Sequence, residues 1–166
     1  SYEVPKKILS LLKYNLFLLY GENFGLKKDI KELIKIKKKQ QDTNIELLSL
    51  YENDIMDNEE NFYNSIYSGS LFSNKKIIII NNGTDKILKQ VKDMVDKYPV
   101  NVFLIIFAHT LEKKSKLRNF FETNMKTLCI PCYLDSDKDL EIIVRTELKK
   151  SNITLQKDAI RWGEVS

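Results

Sequence analysis

Four isoleucines in a row, Ile77 to Ile80, follow Lys75 and Lys76 with no polar residue between them. So unbroken a run predicts a strand buried on both faces, because a half-exposed strand would alternate. Residues 15–20 and 102–107 read the same way, 45–51 forms a weaker strand, and 127–133 makes a short fifth. Between them the apolar spacing changes to that of helices. Leu26, Ile30, Leu33 and Ile34 predict a helix over 26–39, Phe62 and Ile66 one over 58–67, and Ile87, Leu88, Val91 and Val95 one over 85–97. A further helix is expected over 111–124, and an amphipathic one over 5–13 precedes the first strand. Strands alternating with helices predict a parallel sheet wrapped on both faces. The tail differs in kind: 137–150 and 155–162 are two helical patterns joined by Lys149-Lys150-Ser151-Asn152, with no further strand. A boundary is therefore placed near Asp135, dividing an α/β domain, 1–134, from a helical fragment, 135–166, too short to build its own core.

Composition narrows this only a little. The 166 residues are 43% hydrophobic, a globular proportion. The longest apolar runs, 16–19 and 102–108, fall far short of the roughly 20 residues that span a bilayer. No signal-peptide pattern opens the chain, and two cysteines fit a reducing cytoplasm, the expected location. The formal charge of +4 is nearly all lysine, a mild excess that an AT-rich genome explains as well as a nucleic-acid surface does. The lysines of 27–39 and of 113–118 are expected to form solvated faces, with phosphate contact as the alternative. Neither run carries interleaved aromatics for base stacking.

A strand, a glycine turn and a lysine-rich helix invite a phosphate-loop reading. That loop requires Gly-x4-Gly-Lys-Ser/Thr, so that backbone N–H groups wrap the phosphates and the hydroxyl holds magnesium. Gly21 and Gly25 stand one residue too close, Leu26 takes the lysine's place, and Lys27-Lys28 bring no hydroxyl. After Ile80, where a metal-binding carboxylate belongs, stand Asn81 and Asn82. No nucleotide cofactor is expected. Cys129-Ile130-Pro131-Cys132 has redox or half-zinc spacing, but it lies in an extended segment and His109 is the sole histidine, so two structural thiols are expected and no metal. His109, at a strand's carboxyl end, has neither a nucleophile nor an acid in view.

Leu71 and Phe72 are the residues that composition leaves open. They lie among Ser68, Gly69, Ser70, Ser73 and Asn74, which is loop chemistry. Either they fold under that loop against the sheet edge, or they form an apolar plug for a partner's pocket.

Several strings, in this order, resemble the delta subunit of bacterial DNA polymerase III, part of the sliding-clamp loader. They are Leu18-Leu19-Tyr20-Gly21-Glu22, Ser70-Leu71-Phe72 before Lys75-Lys76-Ile77-Ile78-Ile79-Ile80-Asn81-Asn82, and Leu111-Glu112-Lys113-Lys114-Ser115-Lys116-Leu117-Arg118. Ile130-Pro131-Cys132-Tyr133-Leu134-Asp135 is similar to the family's exit from its first domain, and the lysine-serine-lysine-leucine segment looks closest to alphaproteobacterial members. The resemblance implies an AAA+-like, P-loop-type domain with a five-stranded parallel sheet, the start of a helical lid, and a collar domain that this chain lacks, so that it is expected to be a fragment. It implies a subunit of the DNA polymerase III holoenzyme without catalysis or ATP binding of its own. Its partners would be the sliding clamp (beta subunit), the gamma/tau and delta prime subunits, and primed DNA through the assembled complex, with no membrane. Ser70, Leu71 and Phe72 would then be the clamp-binding element, Leu71 and Phe72 entering a hydrophobic pocket of the ring. The glutamine that often stands three positions before the serine is here Tyr67. An active P-loop ATPase and a lysine-mediated DNA-binding module are the competing functions.

Overall fold

The computed structural model describes residues 5–42, 44–67, 75–97, 102–135 and 138–161. Along the chain they form α1 (Lys6–Leu12), β1 (Leu16–Tyr20), α2 (Phe24–Gln41), β2 (Ile45–Tyr51), α3 (Glu52–Asp57), α4 (Glu59–Tyr67) and β3 (Lys75–Asn81). A 3-10 turn, Asp85–Ile87, runs into α5 (Leu88–Asp96); β4 (Val102–Phe107), α6 (Lys116–Thr123), β5 (Thr127–Pro131) and α7 (Lys138–Arg161) follow. The strands make one parallel five-stranded sheet in the order β2-β3-β4-β1-β5.

The unbroken apolar runs are explained by this sheet. Its three central strands are buried on both faces, and alternate residues enter two separate cores. Leu16, Leu18, Ile78, Ile80, Leu104 and Ile106 meet Phe62 and Ile66 of α4, Val91 and Val95 of α5, and Leu117 and Phe121 of α6. Phe17, Leu19, Ile77, Ile79, Phe103 and Ile105 meet Ile8 and Leu11 of α1, Ile30 and Ile34 of α2, and Val144 of α7. The chain leaves β1 toward β2 at one edge and leaves β4 toward β5 at the other. The direction of winding thus reverses beside β1 and β4, and the crevice at their carboxyl ends is where such sheets place ligands.

Four details depart from the sequence expectation. Residues 111–115 are not helical: α6 starts at Lys116, where Ser115 Oγ accepts from Arg118 N (3.2 Å) and Asp85 takes N–H bonds from Lys116 and Leu117 (both 3.1 Å). The short α3, directly after β2, had no periodicity long enough to announce it. The fifth strand stops at Pro131, two residues early: Cys132 N still donates to Tyr20 O, but Cys132 O, Tyr133 O and Leu134 N bond Asn23 and Glu22 of the glycine turn instead of β1. The tail is one helix, not two. Lys149-Lys150-Ser151-Asn152 contains no glycine or proline to break α7, and Val144, Glu147 and Ser151 share a buried stripe along it. Lys37 of α2 pairs with Glu147 at 2.9 Å within that contact.

Candidate functional site

At the carboxyl end of β1 the chain turns through Gly21, whose φ of +116° suits only glycine. A Cβ there would lie 2.2 Å from the carbonyl oxygen of Cys132. The glycine therefore serves a close backbone crossing. Five of the N–H groups along this turn are spent within the protein. Gly21 N donates to His109 O (3.0 Å), Asn23 N to Cys132 O (2.8 Å), Phe24 N to Glu22 O (2.9 Å) and Lys27 N to Asn23 O (3.1 Å). Leu26 N donates to Asn23 Oδ1 (3.1 Å), which caps α2.

Lys27 corrects the sequence reading in an instructive way. Counted from Gly25 its place seemed taken by Leu26, but counted from Gly21 it stands where the loop's lysine belongs, and the structure puts it in the crevice. The sequence signal was present in the choice of which glycine to count from. Its ammonium is turned inward: Lys27 is buried, Nζ donates to Ala108 O at 2.9 Å, and burial pulls its pKa below the ordinary lysine value. The cavity left here is about 60 Å³, lined by Phe24, Lys27, Asn81, Asn82, Phe107, Ala108 and His109. Ligand pockets of drug-like size run to roughly 300 Å³ or more. No carboxylate lines this cavity among the described residues. Asn81 donates to Leu50 O (3.1 Å) and Ser49 Oγ (2.9 Å), bracing the edge strand, and Asn82 holds a left-handed φ of 57°. The nearby acids are engaged elsewhere. Glu52 accepts from Thr84 N and Thr84 Oγ1 (both 2.8 Å), and Asp85 accepts from Ser115 Oγ (2.6 Å) as well as from the start of α6. His109 is exposed, with no nucleophile beside it in the lining.

Cys129 and Cys132 point into opposite cores of the sheet, Cys129 half-buried and Cys132 fully buried. An extended chain sends residues three apart to opposite faces, so the pair converges on no common ligand. Burial pushes both thiols up to about 12. Among the described residues no group of three or more His, Cys, Asp or Glu side chains is arranged to hold a metal.

The lysine-rich face of α2 is less solvated than the sequence implied. Lys38 is buried, 4.5 Å from the centre of the Phe103 ring, and its ammonium donates to Leu12 O (3.3 Å), Tyr14 O (3.5 Å) and Asn15 Oδ1 (3.3 Å). With Lys27 inward and Lys37 paired to Glu147, three cations of the run serve the fold. Lysine's long apolar stem allows this, since it packs while the head finds carbonyls. Lys28 and Lys39 remain exposed, as do Lys113, Lys114 and Lys116 around the start of α6. Arg118 bonds Glu122 and Leu111 O and stacks over Tyr20 at 5.0 Å.

Ser70, Leu71 and Phe72 lie outside the described residues. Their anchors are described. Phe62 and Ile66 bury one face of α4, Lys76 Nζ donates to Ser65 O, and Lys75 pairs with Asp42 at 3.8 Å. Tyr67 and Lys75, the residues on either side, sit at the amino edge of the parallel sheet, the end opposite the glycine turn.

Residues 17–132, most of the sheet and most of both its cores, match the family described as DNA polymerase III, delta subunit. The chain belongs to that family. The probable DNA polymerase III subunit delta of Rickettsia prowazekii (strain Madrid E) is 25% identical over 158 residues, covering 94% of this chain and 46% of that protein. The chain thus spans about half the length of this delta-subunit relative. Among solved structures, the Bacillus subtilis DNA clamp loader delta protein superposes with a TM-score of 0.49 at 12% identity, over 76% of this chain and 42% of that one. Among the described residues no helix is long and apolar enough to cross a membrane.

Proposed function

We propose that this delta-family chain is an interaction subunit that binds the sliding clamp of DNA polymerase III through Leu71 and Phe72 and helps open the ring, without binding ATP itself. The observation that carries the ATP-independent part is the closed glycine turn. Five of its N–H groups are committed to protein acceptors, the lysine at the phosphate-loop position is bonded to Ala108 O, and about 60 Å³ remains. Family membership and the apolar pair in a polar loop support the clamp-binding part. Ring opening would follow from differential affinity: the chain binds most tightly to the conformation in which one ring interface is loosened, and so raises its population. In the whole protein the further partners would be gamma/tau and delta prime, with primed DNA reached through the assembly in the cytoplasm. Residues 135–166 would begin the lid, its first helix docked on α2.

Two measurements test this. Titration calorimetry with ATP and magnesium should give no saturable heat at micromolar nucleotide; saturable binding defeats the closed-turn reading. Truncating Leu71 and Phe72 together to Ala should weaken binding to the purified clamp by about a hundredfold or more. Each well-filled anchor contributes about 2 kcal/mol, and 1.4 kcal/mol is tenfold. Melting temperature should stay within a degree or two. A large fall in melting temperature with clamp affinity intact would show that the pair belongs to this protein's own core.

A further inference from the structure

A second feature stands at the amino edge of the sheet. Lys13, Tyr14, Asn15 and Leu16 enter β1 beside Met125 and Lys126, which enter β5, and the six line a cavity of about 280 Å³. Met125 is 94% exposed, the most exposed large apolar side chain among the described residues. The turn that carries it is held in place, with Lys126 N donating to Asn124 Oδ1 (2.8 Å) and Thr127 Oγ1 to Phe121 O (2.9 Å). Lys13 and Lys126 are exposed, and neither ammonium has a carboxylate within ion-pair distance among the described residues. Two unpaired cations flank a cavity of mixed polarity, with Tyr14, Asn15 and Leu16 in its lining and a displayed methionine at its side. That combination fits a protein surface bearing a carboxylate next to an aliphatic group. A nucleic-acid backbone would use the lysines and gain little from the methionine.

The position of this cavity indicates which protein. Leu16 and Ile78 both stand level with Leu104 in the sheet, with only β4 between their strands. Two strand spacings are about 10 Å, so the cavity lies about 10–15 Å along the same edge from where the chain enters β3. A stable interface covers about 800 Å² on each partner, a patch of roughly 16 Å radius. A leucine and a phenylalanine alone fall well short of that area. We infer that the Lys13–Lys126 cavity and Met125 form a second contact for the same ring partner, receiving an acidic, partly apolar stretch of its surface. The inference rests on the clamp-binding reading above.

The test compares four proteins for affinity toward the purified clamp across a salt series: the parent chain, Lys13→Glu with Lys126→Glu, Met125→Ser, and Leu71→Ala with Phe72→Ala. Charge reversal should lower affinity by about tenfold or more and flatten its salt dependence, and Met125→Ser should lower it several-fold. Melting temperatures should be unchanged, since these side chains are exposed and the ammonium groups bridge nothing. Affinity and salt dependence within twofold of the parent in both edge variants overturn the second contact, while a loss in the Leu71/Phe72 variant in the same series leaves the clamp-binding element standing. The converse result, edge variants impaired and the Leu71/Phe72 variant intact, keeps the edge contact and removes the plug. Charge reversal that weakens binding of primed DNA and spares the clamp overturns the assignment to a protein partner. A parent chain that does not bind the clamp ends both readings.

Discussion

Gly21 offers the sharpest test of why the vestigial turn keeps a glycine. In Gly21→Ala the new Cβ would stand 2.2 Å from Cys132 O, 2.7 Å from Cys132 C and 3.2 Å from Cys132 N. All three are main-chain atoms, and that main chain is tied down: Cys132 N donates to Tyr20 O at 2.6 Å, and Cys132 O accepts from Asn23 N. Relief requires moving the end of β5 away and weakening both bonds, each contributing about 1 kcal/mol. The left-handed φ adds about 1–3 kcal/mol for any residue with a Cβ. A loss of about 3–5 kcal/mol is expected, a large part of a typical domain's 5–15 kcal/mol. At about 2–4 °C per kcal/mol for a chain of this size, melting should fall by roughly 10 °C. Gly25→Ala is the matched control. Its Cβ would meet only Asn23 Oδ1 at 3.7 Å, and the site lies in the first turn of α2. Replacing a helical glycine should leave stability unchanged or raise it by up to about 1 kcal/mol. Urea melts of both variants decide the matter. A loss under 1 kcal/mol in Gly21→Ala would refute the crossing argument, and a large loss in Gly25→Ala would show a constraint on that residue which packing does not supply.

Two further predictions concern titratable groups. Burial alone would raise the pKa of Asp85, but bonds from Ser115 Oγ and from the N–H groups of Leu117 and Lys116 outweigh it and hold the carboxyl below its ordinary value. A depressed folded-state pKa contributes stability that is present above the unfolded value of about 3.9 and is lost as pH falls through the folded one. Capping bonds of this kind contribute about 1 kcal/mol, and solvent screens the charge at this exposed carboxylate, so Asp85→Ala should cost no more than about 1 kcal/mol at pH 7, with the gap to the parent closing below pH 4 in urea melts at stepped pH; a gap independent of pH would refute the charged-cap account. Cys129 and Cys132, pushed up to about 12, should resist iodoacetamide at pH 8 in the native protein and react fully in urea. Rapid native alkylation at either would show a thiol that the fold leaves reactive.

The order of strands and helices was legible because buried parallel strands advertise themselves: four adjacent β-branched isoleucines exclude a half-exposed, alternating strand. Element ends were less so: Ser115, the local cap of α6, stands inside the stretch expected to be helical, and part of the capping comes from a residue distant in sequence. Asp85 caps α6 from thirty residues away, and no local pattern around Lys116 discloses that partner. The continuity of α7 is hidden in the sequence because Lys149 and Lys150 read as a polar connector, whereas Glu147 and Ser151 lie on the buried side of the same helix and Glu147 pairs with Lys37 of α2. The lysine run was misjudged for a related reason. Charge predicts exposure only until a carbonyl or an acid waits inside, as Ala108 O does for Lys27 and Glu147 for Lys37.

The closed turn also bears on how such a subunit would work. Asn23 accepts from Leu26 N, donates to Tyr133 O (3.3 Å) and donates to Glu141 Oε1 in α7 at 2.6 Å. One side chain thereby ties the start of α2, the exit from β5 and the start of α7 at the crevice where a ligand would otherwise join strand ends to helices. A ligand shifts a conformational equilibrium only by its difference in affinity for the two states. A bond made by a resident side chain offers no such difference, because it is present whether or not nucleotide is supplied. On the proposed function, the α/β body then meets the ring in one shape, and any preference for a loosened ring must arise at the contact surface. On that reading the energy of opening would come from the contact surface itself, the Met125 cavity included, and would not change with nucleotide at this turn.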